Sequence, residues 1–171
     1  MSDTSGILTD LQISNLCAQF PSYMRNNDWK RLFRMDQDGC SLLTFFEKCR
    51  EHETTIIVCQ DEHGHKFGGY CCEAWRRSHR FFGNCQNWLF SFGNTMDIKV
   101  YHWQGGNEQF MYADDKSIGL GGSTVKGRFA FYLSSDLYRG SSSKTDTYDN
   151  DILSKNLDFK CYKLEVWAIM D

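Results

Sequence analysis

A glycine-rich stretch at residues 116–127, KSIGLGGSTVKG, combines residue types that bind phosphate in many nucleotide-binding proteins. A P-loop requires GxxxxGK[ST] between a strand and a helix, so that backbone amides and the helix N-terminus surround the phosphates. Here Lys126 lies between Val125 and Gly127, and the sequence that follows is typical of a strand. The dinucleotide pattern GxGxxG also fails, because Thr124 occupies its third glycine position. We therefore expect no nucleotide cofactor, and expect the glycines to allow positive φ angles or a close approach of another chain.

Histidine and acidic residues offer two metal-site patterns, and both are incomplete. His63 and His65 alternate in HGH, but the sequence has no CxxC pair of the kind from which structural zinc sites are built. The DQDG stretch at residues 36–39 has its glycine in the wrong place for a calcium loop and lacks the closing glutamate. We expect no metal ion and interpret the two histidines as solvated turn residues.

The eight cysteines raise the question of thiol chemistry. A reactive thiol needs a cation or helix N-terminus nearby to lower its pKa, and Cys85, which follows the basic WRRSHR stretch, is the best candidate nucleophile. Cys71 and Cys72 are neighbours that would point to opposite faces of a strand. Four further cysteines lie in apolar patterns and are expected to be small core residues: Cys17, Cys49, Cys59 and Cys161. A thiol-dependent antioxidant enzyme is thus one functional alternative.

The segment EAWRRSHRFF, residues 73–82, which we call the corner, mixes one carboxylate, basic side chains and three aromatic rings. Arginine and tryptophan are favoured at protein interfaces, so a partner-binding surface is the first interpretation and a buried corner the second. Stacking of single-stranded nucleic acid by Arg76, Arg77 and Arg80 is a weaker alternative, as part of a transcription-associated module, because the whole chain is acidic.

Bulk properties support a single folded domain. The chain has 171 residues, a net charge of −3 and one proline, and its content of aromatic residues is too high for a disordered protein. We expect a flexible N-terminus at residues 1–6 and one domain at residues 7–171. The sequence has no signal-peptide pattern and no run that could span a bilayer. We therefore expect no secretion and no membrane insertion, and a cytoplasmic location that extends to the nucleus or to the surface of acidic organelles.

Two helices are predicted near the N-terminus. TDLQ at residues 9–12 is a capping box, and the apolar stripe after it reaches Phe20, with Pro21 ending the helix. Ser41 caps a second helix, whose stripe consists of Leu42, Phe45, Phe46 and Cys49.

The rest of the chain reads as closely spaced strands. TTIIVC and KFGGYCC form a hairpin, QGGN at residues 104–107 is a second hairpin turn, and RFAFYL places Phe129, Phe131 and Leu133 on one face. In the last strand one face carries Tyr162, Leu164, Val166 and Ala168, and the opposite face carries Phe159, Cys161, Lys163, Glu165 and Trp167. The predicted fold class is α+β and β-rich, a sandwich of two antiparallel β-sheets flanked by helices.

Seven motifs in order resemble the TLDc domain of the oxidation-resistance protein family over about residues 5–169. They are SGILT, DWKRLFRMDQDGCSLLTFF, FGGYCCEAWRRSHRFFG, NWLFSF, GLGG, FAFYLSSDLYRGSSS and LDFKCYKLEVWAI. The resemblance implies the same sandwich, a role in protection against oxidative stress, and binding to subunits of the vacuolar proton-pumping ATPase (V-ATPase) that controls pump assembly or activity. It brings no accepted catalytic centre, and we expect a non-catalytic interaction domain.

The resemblance also implies which residues form the family motifs: Gly69, Glu73, Trp75, Arg76, Gly83, Gly119, Gly121 and Gly122. The sequence departs from the family pattern at Ala74 and Arg77, which replace prolines, and at Thr145, where many members have a cysteine. If that cysteine reduced peroxide, Thr145 could not replace it. Gly121→Val or Gly122→Val is expected to weaken partner binding while the fold survives.

Overall fold

The structure is a computed structural model, and it describes residues 3–171. The described residues form three α-helices and a 3-10 turn: α1 (Asp10–Cys17), the 3-10 turn Ser22–Met24, the one-turn helix α2 (Met35–Asp38) and α3 (Leu42–Cys49). Ten strands are formed by the described residues: β1 (Trp29–Arg34), β2 (Thr55–Asp61), β3 (Lys66–Cys71), β4 (Trp88–Gly93), β5 (Lys99–His102), β6 (Met111–Ala113), β7 (Ser117–Leu120), β8 (Phe131–Ser134), β9 (Arg139–Ser141) and β10 (Asp158–Ile169).

All strand pairs are antiparallel, and the strands run in the order β5-β4-β3-β2-β10-β9-β8-β7-β6, with β1 also paired to β10. The long strand β10 belongs to both halves: its first residues pair with β9, and the rest pair with β1 and β2. The two halves face each other across a shared core, in which the rings of Phe67 and Phe131 meet with centroids 6.0 Å apart. The predicted β-rich sandwich with flanking helices is confirmed.

The N-terminal helix covers the other face of the first half. Thr9 caps α1 with the predicted capping box, and Phe20, just beyond the helix, packs on Trp29, Tyr70 and Trp88 in a second apolar cluster. Helix α1 ends at Cys17, earlier than the predicted end at Pro21. Helix α3 begins after Ser41 as predicted, and its buried face belongs to the shared core.

The β2–β3 hairpin is confirmed, but the predicted hairpin turn at QGGN is wrong. Strands β5 and β6 lie at opposite ends of the strand order, so residues 104–107 connect the two halves of the sandwich. Backbone hydrogen bonding reflects this, since the amide of Gln104 donates to the carbonyl of Thr147 at 2.9 Å. The turn-like sequence correctly predicted a change of chain direction at this point, but it did not predict that β6 pairs with β7 and not with β5.

Two predicted strand faces also need correction. A bulge in β10 between Cys161 and Lys163 shifts the alternation by one residue, so Phe159 and Cys161 lie in the same core as Leu164, while Tyr162 is exposed. Strand β8 begins at Phe131, and Phe129 precedes it on the outer face of the sheet rather than in the core.

The start of the chain is attached to β10 within the described residues. The hydroxyl of Ser5 and the amide of Gly6 donate to the Glu165 carboxylate at 2.7 and 2.6 Å. The predicted flexible segment, residues 1–6, lies partly outside the described residues. No helix within residues 3–171 is long and apolar enough to cross a membrane.

Candidate functional site

The glycine-rich stretch is part of the sheet. Its first residues form β7 between β6 and β8, and the connection at residues 121–130 leads to a strand. Because no helix follows, the stretch lacks the helix N-terminus that a phosphate site of the P-loop type requires. Gly121 has a φ of +73°, which favours glycine, and the amide of Gly122 donates to the Thr147 hydroxyl at 2.9 Å.

The family-motif glycines are needed for close packing. A Cβ on Gly69 would lie 2.5 Å from Leu120 Cδ1 across the sandwich, and one on Gly119 would lie 2.6 Å from the Phe129 ring. A Cβ on Gly122 would overlap the Gln109 side chain, and Gly83 has a φ of +95°. A valine would therefore be strained and overpacked at Gly121, and at Gly122 it would overlap the half-buried Gln109 side chain, so we expect both substitutions to lower the stability of the fold.

The corner contains a buried anchor and exposed arginines. Trp75 is fully buried, with its ring 5.4 Å from Phe45 and 6.3 Å from Phe82 between centroids. Arg76 lies over the Phe82 ring at 4.3 Å, and its Nη1 is 3.2 Å from the Glu73 carboxylate. The tryptophan therefore holds the corner to the core, as the buried-corner interpretation predicted, and the arginines face solvent.

Arg77 extends this arrangement toward α3. Its guanidinium lies over the Phe46 ring at 5.1 Å, and its Nε is 3.2 Å from Asp115. Both carboxylate partners of the corner arginines are themselves partly or largely exposed, so these ion pairs contribute little to stability. The rings beneath the guanidinium groups hold them at the surface in fixed positions.

Helix α3 and the corner enclose a groove of about 400 Å³, which we call the α3 groove. Leu43, Phe46, Glu47 and Arg50 line it from α3, and residues 74–77 line it from the corner. The α3 residues have the spacing i, i+3, i+4, i+7, which places them on one face of a helix. Sequence reasoning identified the buried stripe of α3 but missed this second face, because its position against the corner depends on tertiary packing.

One polar group in the groove lining has no partner. The Trp75 Nε1 is buried and has no hydrogen-bond acceptor within the described residues. Buried donors are nearly always paired, and an unpaired one costs about 1–3 kcal/mol. The α3 groove therefore has an apolar floor, with arginines at its rim and a fully buried tryptophan beneath it.

The structure does not show, among its described residues, the predicted contact between the Cys85 thiol and the basic side chains of the corner. Cys85 is exposed, and no hydrogen bond or ion pair within residues 3–171 joins it to the corner arginines. Its thiol lies near Cys72, whose pKa is raised to about 12 chiefly by burial. Cys71 and Cys72 face opposite sides of β3 as predicted.

The predicted core cysteines are buried, except that Cys17 is only half-buried. Burial raises the pKa of the Cys49 and Cys59 thiols, and the Sγ atoms of Cys59 and Cys161 lie 3.3 Å apart in the core. The raised pKa keeps the Cys49 and Cys59 thiols protonated and poorly nucleophilic at neutral pH.

The two histidines lie at the turn between β2 and β3. The buried Asp61 accepts hydrogen bonds from the backbone amides of His63 and His65, both at 2.9 Å, which fixes the turn. Among residues 3–171 no group of three or more His, Cys, Asp or Glu side chains is placed to hold a metal ion.

Comparison with known proteins decides the family. The model of the TLDc domain matches residues 1–170. The chain belongs to the TLDc family. This confirms the resemblance carried by the seven motifs, and the family is not known as a catalytic one.

TLDc relatives match the chain almost end to end. Nuclear receptor coactivator 7 of Homo sapiens is 33% identical over 165 residues, which is 96% of this chain and 17% of the relative. Oxidation resistance protein 1 is 32% identical in Xenopus tropicalis and 31% in Rattus norvegicus, each over 169 residues, 98% of this chain and 19% and 20% of the relatives. The chain therefore spans about a fifth of the length of these curated relatives, and some of them are named for resistance to oxidation.

Thr145, which departs from the expected family pattern, has a structural role in this chain. It is buried, and its hydroxyl donates to the Asn150 side chain at 2.6 Å. The Tyr148 amide donates to the same hydroxyl at 3.4 Å, so Thr145 organises the turn that packs beside Gly121.

Proposed function

We propose that this TLDc domain is a non-catalytic regulatory module in protection against oxidative stress that binds the V-ATPase and controls its assembly or activity. The observation that carries the proposal is the α3 groove, a surface with an apolar floor and exposed arginines on a domain of this family. Binding to a pump subunit would place the domain in the cytoplasm or at the surface of acidic organelles.

Several properties favour binding over catalysis. Burial raises the pKa of the Cys49, Cys59 and Cys72 thiols, so these thiols are less nucleophilic than a free cysteine at neutral pH. Thr145 lies where the family resemblance implies a thiol in many members, and the candidate thiol, Cys85, is exposed but has no ion pair with the corner arginines among the described residues. Arginines held over aromatic rings, by contrast, are typical of interfaces.

The test is direct binding to the purified cytosolic sector of the V-ATPase, measured by biolayer interferometry together with the rate of ATP hydrolysis. We expect saturable binding and a change in the hydrolysis rate as the domain saturates. The assay includes a TLDc protein that binds under the same conditions as a positive control. Absence of binding by this chain beside a working control would overturn the proposal.

A further inference from the structure

The α3 groove has the chemistry to select a particular kind of partner segment. We propose that it takes an acidic peptide segment whose one bulky apolar side chain enters the groove while neighbouring carboxylates pair with Arg50, Arg76 and Arg77. This inference rests on the proposed function, because we assign the acidic segment to the V-ATPase subunit that the domain binds.

The floor of the groove fits an apolar side chain. Leu43 is 54% exposed although it lies at the edge of the core, and the buried rings of Phe46 and Trp75 continue the apolar surface beneath it. A volume of about 400 Å³ is within the usual range of ligand pockets. Covering Leu43 would remove apolar surface from water, which is the main source of binding free energy at such sites.

The rim of the groove favours carboxylates. Within the described residues Arg50 has no ion-pair partner, and Arg76 and Arg77 each use one donor on an exposed carboxylate. A guanidinium has five donors, so most of those on Arg76 and Arg77 remain free for a bidentate contact. Glu47 is the one acidic residue that lines the groove, and Glu73 and Asp115 pair with Arg76 and Arg77, so the cationic character of the rim rests on Arg50 and on the unused guanidinium donors. Arg50 and these donors favour a carboxylate over a cationic side chain.

Trp75 lies beneath the groove and reports on its occupancy. Its ring is fully buried at the groove floor and packs against Phe45 and Phe82, so a side chain that enters the groove changes the surroundings of the indole.

A second surface groove provides matched controls. It lies on the outer face of the β6–β8 sheet, where Phe81, Tyr112 and Phe129 form the floor and Arg128 lies at the rim. Arg128 is exposed and, like Arg50, has no ion-pair partner among residues 3–171. Leu11 matches Leu43 closely, since it is 56% exposed and is also the second residue of a capped helix.

Four variants test the groove on the pump. Arg50→Glu and Leu43→Ser should each weaken binding about tenfold or more, because the first places a repulsive charge opposite the segment's carboxylates and the second removes the apolar contact. Arg128→Glu and Leu11→Ser make the same changes elsewhere and should leave affinity within about twofold. Equal affinity of wild type and Arg50→Glu, or loss of binding in Arg128→Glu, would overturn the inference while leaving pump binding itself intact.

A peptide titration tests the groove without the pump. The probe is an amidated 12-residue peptide of Glu and Leu, compared with one in which Lys replaces every Glu, and the readout is the indole N–H resonance of Trp75, assigned with Trp75→Phe. We expect the acidic peptide to shift this resonance in wild type and in Arg128→Glu with similar affinity. In Arg50→Glu we expect the affinity obtained from the titration to be about tenfold lower. If the Lys peptide binds as well, or if a single-stranded oligonucleotide shifts the resonance at lower concentration, the inference is wrong.

Discussion

At the scale of single residues, Gly121 and Gly127 have similar backbones and different surroundings. Their φ angles are +73° and +82°, both in the left-handed region. A Cβ on Gly121 would lie 3.0 Å from the Tyr148 ring and 3.1 Å from Ala130 Cβ, whereas nothing lies within 4 Å of a Cβ on Gly127. The pair therefore separates backbone strain from steric overlap within one glycine-rich stretch.

Gly121→Val should lower the free energy of unfolding by about 3–5 kcal/mol, because left-handed strain and overpacking add. Gly127→Val should cost only the strain, about 1–2 kcal/mol. Urea denaturation followed by tryptophan fluorescence measures both values. Equal losses in the two variants would contradict the packing role assigned to Gly121.

Local reasoning from the sequence was sufficient to exclude a P-loop, because the spacing of Lys126 is a property of the chain alone. It was insufficient to decide between a packing role and a docking role for the glycines. That decision depends on Leu120, Gln109 and Phe129, which reach Gly69, Gly122 and Gly119 from other parts of the fold or chain.

At the scale of elements, β10 organises the molecule through Glu165. This carboxylate is buried at 1% exposure and accepts hydrogen bonds from Ser5, from the Gly6 amide and from Trp167 Nε1 at 3.0 Å. A single side chain thus joins the start of the chain to the central strand and satisfies a buried indole.

Glu165→Ala should reduce the free energy of unfolding by about 2–4 kcal/mol, because two N–H donors lose their acceptor. It should also expose the bonds near Gly6 to limited proteolysis. Glu108→Ala, which removes an exposed glutamate, is the control and should stay within about 0.5 kcal/mol of wild type. Unchanged stability of Glu165→Ala would show that the attachment is dispensable.

Elements with local signals were predicted well. The caps at Thr9 and Ser41 and the β2–β3 hairpin depend on neighbouring residues, and all three are found. The bulge in β10 and the separation of β5 from β6 depend on distant strand partners, and the sequence pattern gave no signal for either. The short strand β7 was hidden in a glycine-rich stretch with low strand propensity.

At the scale of the whole molecule, the two halves of the sandwich enclose one core, and the α3 groove lies where α3 meets the corner beside it. The corner side of the groove was visible in the sequence through its arginines and tryptophan. The α3 side of the groove was not visible in the sequence. Nothing in the sequence distinguishes Leu43 and Arg50 from other surface residues, and only the fold places them opposite Arg76 and Arg77.

Hydrogen–deuterium exchange of the domain, alone and bound to the cytosolic sector of the V-ATPase, tests the central claim most directly. The account predicts slower exchange on binding at residues 42–50 and 73–77, with no change at residues 123–129 on the other groove. Protection confined to residues 123–129, or no protection in α3 and the corner, would contradict it.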